Sequence, residues 1–127
     1  MTDITFHGGV NDIGGNKFLV ESKDTKVFMD FGMSFSQEGQ FFSQFLNART
    51  SNSLNDLFEL GILPKIKGLY RRDYAKHMDF DGTEDNEIDA VLLTHAHVDH
   101  CAYIPYLRPD IPIYCSEESK LIMQNFD

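Results

Sequence analysis

The sequence predicts an α/β (α+β) fold in which helices flank a mixed β-sheet. Over residues 2–32, short apolar and β-branched runs alternate with turns of Gly, Asn and Asp, which is typical of consecutive strands joined by tight turns. Residues 88–127 alternate strand, helix, strand and helix, the pattern of parallel strands joined by crossovers. With 127 residues, 42% of them apolar, the chain can bury one hydrophobic core.

Three strands are predicted near the N-terminus, over residues 4–6, 17–20 and 26–31. A glycine-rich stretch at 8–16 separates the first two, and a polar turn at 22–24 separates the second from the third. Each run is short and bounded by residues that favour turns, so we expect neighbouring strands to pair directly.

The middle of the chain, residues 33–87, is interpreted as an insertion made of a loop and short helices. Polar side chains interleaved with phenylalanines over 33–53 predict a long loop that packs locally. Apolar residues at helical spacing then predict a short helix that begins at Ser53, a preferred capping residue, and ends at Gly61.

A basic stretch with interleaved tyrosines follows this helix, and an acidic stretch comes after it. Two interpretations stay open: a solvated surface whose opposite charges partly neutralise each other, or a patch that contacts a phosphate backbone and stacks bases on its tyrosines. The net charge of −9 argues against a protein that coats nucleic acid through overall positive charge. The candidate nucleic-acid contacts are Lys65, Lys67, Arg71 and Arg72.

The C-terminal third has the clearest pattern of elements. A continuous apolar run at 90–93 predicts a strand buried on both faces. A helix is predicted over 99–107 and a further strand over 111–115. Ser116 then caps a last helix whose first turn is acidic, which suits the helix dipole.

Potential metal ligands are concentrated directly after the run at 90–93. In an extended chain His95, His97 and Asp99 project to one side, since side chains alternate, and a helix that starts at Asp99 turns His100 towards them. Three histidines and one aspartate at this spacing are what a divalent metal site needs. Imidazole and carboxylate ligands suit zinc and other borderline divalent ions.

The segment His-x-His-x-Asp-His at 95–100, directly after an apolar strand, resembles the signature of the metallo-β-lactamase fold superfamily of metallo-hydrolases. The opening at 8–16, together with 27–32, is similar to the start of the superfamily's RNA-processing branch, which includes RNase J-like and other β-CASP nucleases. The resemblance implies that residues 1–127 form a partial domain, the N-terminal half of an αββα sandwich. We therefore expect a fragment, a truncated gene product or a piece of a longer chain.

The resemblance also implies a role for each matching residue. His95 and His97 would bind a first zinc ion, and Asp99 and His100 would bind a second. Asp99 is in addition the expected catalytic residue, which would orient the attacking water. Asp30 would support the metal-binding segment without binding the metal. The family's site takes further ligands from later segments, so we expect partial or no zinc binding by this chain alone.

The favoured function is metal-dependent hydrolysis of RNA or another phosphodiester, here by an incomplete half-domain. Two alternatives stay open: a non-catalytic binding or assembly module that keeps a partial metal site, and a metallo-hydrolase that acts on a small thioester or lactone. The acidic net charge slightly favours the small substrate, whereas the glycine-rich opening and the basic stretch favour the nuclease.

Self-association and location can also be predicted. We expect a homodimer, because without a covering layer one face of the sheet would expose a large apolar patch. No apolar run approaches the roughly 20 residues of a membrane span, so no membrane contact is expected. Cys101 and Cys115 are expected as free thiols, and with no signal peptide the chain is expected in the cytoplasm.

Overall fold

A computed structural model describes residues 1–42, 53–66, 68–75 and 87–125. Within these ranges five strands and five helices follow one another, with a 3₁₀ turn at Ile104–Tyr106 between the fourth helix and the fifth strand. Their bounds are β1 (Thr2–Gly8), β2 (Lys17–Ser22), β3 (Thr25–Met29), α1 (Phe35–Phe41), α2 (Ser53–Glu59), α3 (Arg72–Ala75), β4 (Ala90–Leu92), α4 (Val98–Cys101), β5 (Ile113–Tyr114) and α5 (Glu117–Gln124).

The strands form one mixed sheet in the order β1-β2-β3-β4-β5. The β1–β2 and β2–β3 pairs are antiparallel, as expected for strands joined by short turns. The β3–β4 and β4–β5 pairs are parallel, and each needs a crossover connection of the kind that helices supply. The predicted α/β (α+β) class with a mixed sheet is therefore confirmed.

One face of the sheet packs against the helical part of the chain. Leu19, Phe28 and Val91 lie side by side on adjacent strands, and all three are buried. The side chains that cover this row come from α2, from the segment just before α3 and from the segment that follows α4, and they include Leu54, Leu57, Phe58, Leu69, Tyr70, Tyr103 and Leu107. This face holds the hydrophobic core, as burial of apolar area requires.

The opposite face carries an apolar row that these residues leave exposed. Strand pairing aligns Phe6, Phe18, Met29, Leu92 and Tyr114 across all five strands. Phe6 is 59% exposed, Leu92 40% and Tyr114 59%. The prediction that the run at 90–93 is buried on both faces was therefore wrong at Leu92, because within the described residues helices cover only one face of the sheet.

Two local predictions need correction and one is confirmed. Residues 35–41 form α1, where a loop was expected; the Ser34 side chain caps this helix by accepting a hydrogen bond from the Gln37 N–H at 3.3 Å. The helix predicted over 99–107 is divided into α4 and the 3₁₀ turn, because Pro105 cannot continue an α-helix. Ser116 caps α5 as predicted, accepting from the Ser119 N–H at 3.1 Å.

Two further observations concern the whole described chain. Cys101 and Cys115 are both free thiols. Among the described helices none is both long enough and apolar enough to cross a bilayer.

Candidate metal centre

The candidate site lies where two parallel strands end side by side. Asp30 directly follows β3, and the histidine-rich segment 94–100 follows β4. Met29 pairs with Leu92, and the Asp30 N–H donates to the Leu92 carbonyl at 3.0 Å. Because the carboxyl ends of parallel strands meet at one edge of a sheet, this register brings the Asp30 side chain to the histidine-rich segment.

Three side chains of that segment converge on one point. His95, Asp99 and His100 each offer a ligand atom, and these atoms all lie within 4.8 Å of one another. The three residues are half-buried. His97 is exposed and lies next to the trio, with its ring centroid 4.6 Å from that of His95. The structure therefore brings together three of the four predicted ligands and places the fourth beside them.

The orientation of His100 is set from both sides of its ring. Its Nδ1 lies 2.7 Å from Oδ2 of Asp30, and its Nε2 lies 3.3 Å from Oδ2 of Asp99. Asp30 is only 3% exposed, so its carboxylate needs hydrogen-bond donors. A proton on Nδ1 supplies one, which leaves the Nε2 lone pair directed at the trio. This carboxylate–histidine pairing is typical of imidazoles that bind metals.

Thr94 connects the same aspartate to His95. The Thr94 N–H donates to Oδ1 of Asp30 at 2.8 Å, and its hydroxyl donates to Oδ2 at 2.9 Å. With that proton so used, the hydroxyl oxygen can accept from Nδ1 of His95, which lies 3.0 Å away. Both histidines then keep Nε2 available as a ligand. Asp30 has a backbone φ of 61°, an unusual conformation that concentrates at functional sites.

The glycine-rich segment closes around the backbone of the site. The Gly15 N–H donates to the Asp99 carbonyl at 3.1 Å, and the Phe31 N–H donates to the His100 carbonyl at 2.9 Å. A Cβ on Gly32 would overlap the Asp99 carbonyl oxygen, so the chain at this point must lack a side chain. Because Gly15 and Gly32 lack side chains, the backbones of their segments pack directly against the backbone around Asp99.

Two residues that the sequence did not single out belong to this region. Asn16 places its side-chain amide nitrogen 3.3 Å from Nδ1 of His100. Lys17 is 1% exposed and donates from Nζ to the Gly15 carbonyl at 3.0 Å. Burial, opposed by the charge of Asp12, lowers the pKa of Lys17 to about 8. Asn16 ends the glycine-rich stretch and Lys17 follows it, but nothing in either residue type signals the contact.

The structure does not place the four candidate nucleic-acid contacts at one common surface. Arg71 and Arg72 line one surface cavity together with Arg108, which the sequence analysis did not identify. Lys65 is exposed and does not line that cavity. Lys67 lies outside the described residues.

The chain is similar to known proteins in three comparisons. Residues 70–125 match a family model described as a β-lactamase superfamily domain. Ribonuclease J of Helicobacter pylori is 30% identical over 127 residues, and transcription termination factor FttA of Methanocaldococcus jannaschii is 28% identical over 123 residues. These alignments cover 98% and 94% of this chain, which spans only 14% of each relative. A crystal structure of a protein of unknown function from Enterococcus faecalis superposes with a TM-score of 0.70 at 34% identity, over 96% of this chain and 27% of that one.

Proposed function

Because this chain belongs to the metallo-β-lactamase superfamily, in its RNase J-like branch, we propose that it forms the metal-binding part of a hydrolase that cleaves phosphodiester bonds in RNA. The predicted family is confirmed by the matches. RNA as the substrate is supported by the name of the relative Ribonuclease J, and the zinc ions and the residue roles are supported by the geometry of the site.

The main support for a metal centre is the contact between His100 and Asp99. Nε2 of His100 and Oδ2 of Asp99 lie 3.3 Å apart. When the Nδ1 proton is directed at Asp30, both of these atoms present lone pairs to each other, so a positive charge between them, a proton or a metal ion, is favourable. A divalent ion would bind both. His95 would be the third ligand, and His97 is close enough to serve an adjacent position.

A bound zinc ion would supply Lewis-acid chemistry, polarising a phosphoryl oxygen and making water a better nucleophile. The chain's own residues would supply orientation. The Asp99 side chain is 22% exposed, so it can accept a hydrogen bond from the attacking water and thereby orient a lone pair of that water. Asp30 and Thr94 would hold the two imidazoles in the tautomer that keeps Nε2 unprotonated.

Beside this centre lies an open cavity of about 620 Å³, within the size range of ligand sites. His97 and Asp99 form its polar side, and Phe35, Val98 and Ile122 form its apolar side. A nucleotide could place its phosphate against the polar side of the cavity and its base against the apolar side.

Zinc titration by calorimetry tests the metal centre. We expect weak binding by the chain, since one segment leaves coordination positions to water. Binding should be lost in the double variant His95→Ala, His97→Ala. The control is Asp24→Asn, an exposed aspartate in the β2–β3 turn, at the opposite end of β3 from Asp30. Unchanged binding in the double variant would overturn the assignment, and tight binding of two ions would contradict the expectation of an incomplete site.

The reaction is tested with labelled single-stranded RNA and a small thioester, each with added Zn²⁺. We expect slow cleavage of RNA that is abolished in Asp99→Ala and unchanged in Asp24→Asn. Faster hydrolysis of the thioester would favour the small-substrate hydrolase. RNA binding with no cleavage above the Asp99→Ala background would favour a non-catalytic module.

A further inference from the structure

Lys17 is a buried side chain to which the proposed mechanism gives no role, although it lies next to the candidate metal centre. It is 1% exposed, and its Nζ donates a hydrogen bond to the Gly15 carbonyl at 3.0 Å. We propose that Lys17 is a positioning residue of this centre, because it holds the peptide between Gly15 and Asn16 in the orientation that places Asp99 and His100. This role rests on the metal centre of the proposed function and deepens it.

The segment that Lys17 holds is free to rotate as far as its own residues are concerned. Gly14 and Gly15 have φ angles of 84° and 72°. Glycine populates this region about as readily as its mirror image, so two consecutive glycines fix the orientation of the following peptide only weakly. A charged donor on the Gly15 carbonyl selects one orientation, because an ammonium forms a stronger hydrogen bond than a neutral group does.

The amide side of Gly15 contacts Asp99 directly. The Gly15 N–H donates to the Asp99 carbonyl at 3.1 Å and to the Met33 carbonyl at 3.0 Å. A Cβ on Gly14 would lie 2.6 Å from Cβ of Asp99, so the backbone of the segment also touches the base of that side chain. Rotation of the segment would therefore remove two contacts that help to place the Asp99 carboxylate.

The carbonyl side of the same peptide leads to His100. Asn16 follows the held carbonyl, and its side-chain amide nitrogen lies 3.3 Å from Nδ1 of His100. The Asn16 carbonyl accepts from the Gly32 N–H at 3.1 Å. The hydrogen bond from Lys17 thus acts on both proposed ligands, on Asp99 through the backbone and on His100 through the Asn16 side chain.

The ammonium group contacts the chain that leaves α4 on its other side. Nζ of Lys17 lies 5.7 Å from the centroid of the Tyr103 ring, within the range of a cation–π contact. Tyr103 is buried, and its N–H donates to the Phe31 carbonyl at 3.1 Å. Lys17 therefore lies between the glycine-rich segment and the segment that follows the two proposed ligands.

The first test is amide hydrogen exchange by NMR, in EDTA, on the wild type and on Lys17→Met. Methionine has a similar length and lacks the donor. We expect the Gly15 amide to exchange about tenfold faster in the variant. The Val91 amide, which donates to the Pro112 carbonyl at 3.0 Å within the sheet, should exchange at the same rate or more slowly. A Gly15 exchange rate that is unchanged or lower in the variant would overturn the proposal.

The second test is zinc titration by calorimetry, with circular dichroism to check that the variants are folded. We expect Lys17→Met to bind Zn²⁺ about fivefold more weakly than the wild type. Loss of a nearby positive charge would by itself favour cation binding, so simple electrostatics predicts the opposite change. The control is Lys23→Asn, which removes an exposed charge in the β2–β3 turn, where asparagine tolerates the φ of 55°; its affinity should stay within about twofold.

The outcomes separate this role from the metal centre itself. A lysine with a merely structural role would leave the zinc affinity of a folded variant unchanged. Zinc binding by Lys17→Met as tight as that of the wild type, or tighter, would therefore overturn the positioning role and leave the metal centre standing. Absence of zinc binding in the wild type would refute the metal centre and with it this role, whatever the exchange rate of the Gly15 amide.

Discussion

Replacing Lys17 by Met should stabilise the protein at neutral pH. Lys17 is 1% exposed, and its burial lowers the pKa of the ammonium group from 10.5 to about 8. A charged lysine below pH 8 therefore raises the free energy of the folded state. Methionine has a similar length and no charge, so it can fill the same space under the glycine-rich segment.

The magnitude follows from the shift in pKa. A lowering from 10.5 to about 8 corresponds to roughly 3 kcal/mol of destabilisation when the lysine is protonated in both states. The variant also loses the hydrogen bond from Nζ to the Gly15 carbonyl, which costs about 1 kcal/mol. The expected net gain at pH 7 is therefore about 2 kcal/mol.

The pH dependence has a defined sign. Between pH 8 and 10.5 the unfolded chain binds more protons at Lys17 than the folded chain, so the wild type gains stability as pH rises. From pH 7 to pH 10 the wild type should gain about 2.5 kcal/mol relative to Lys17→Met, so the variant's advantage of about 2 kcal/mol becomes a disadvantage of about 0.5 kcal/mol. Urea unfolding of both proteins at these two pH values, in EDTA, measures the difference directly. An equal difference at pH 7 and pH 10 would refute a buried, titrating lysine, and a destabilised variant at pH 7 would refute its energetic cost.

Three further predictions concern the centre and the sheet. Asp30→Asn should weaken zinc binding by calorimetry about tenfold or more, because the amide cannot accept from Thr94 and His100 as the carboxylate does; unchanged affinity would contradict this role. Gly32→Ala should lower the free energy of unfolding by about 2 kcal/mol or more in urea, because the added Cβ meets the Asp99 carbonyl, whereas Gly39→Ala, with open space in α1, should be neutral or slightly stabilising. Light scattering after size exclusion should give twice the monomer mass, because the apolar row on the sheet needs a cover; a monomer at high micromolar concentration would refute dimerisation.

The strands were predictable because their signals are local. Apolar and β-branched residues between turn residues define β1 to β3 without reference to the rest of the chain. The exposure of Leu92 was not predictable, since the same continuous apolar run is compatible with a strand covered on one face and with a strand covered on both faces. The helix α1 was missed because Gly39 weakens its helix propensity and its phenylalanines stand only at its two ends, so no apolar stripe at helical spacing marks it.

At the candidate site, the clustering of the proposed ligands was predictable and the contacts around them only in part. His95, Asp99 and His100 stand close in sequence, so their convergence follows from one turn of chain. The role expected for Asp30, support of the metal-binding segment, stays a proposal to which the structure adds its contacts with Thr94 and His100. Lys17 was missed, because a lysine at the start of a strand normally faces solvent and only the packing of the glycine-rich segment buries it.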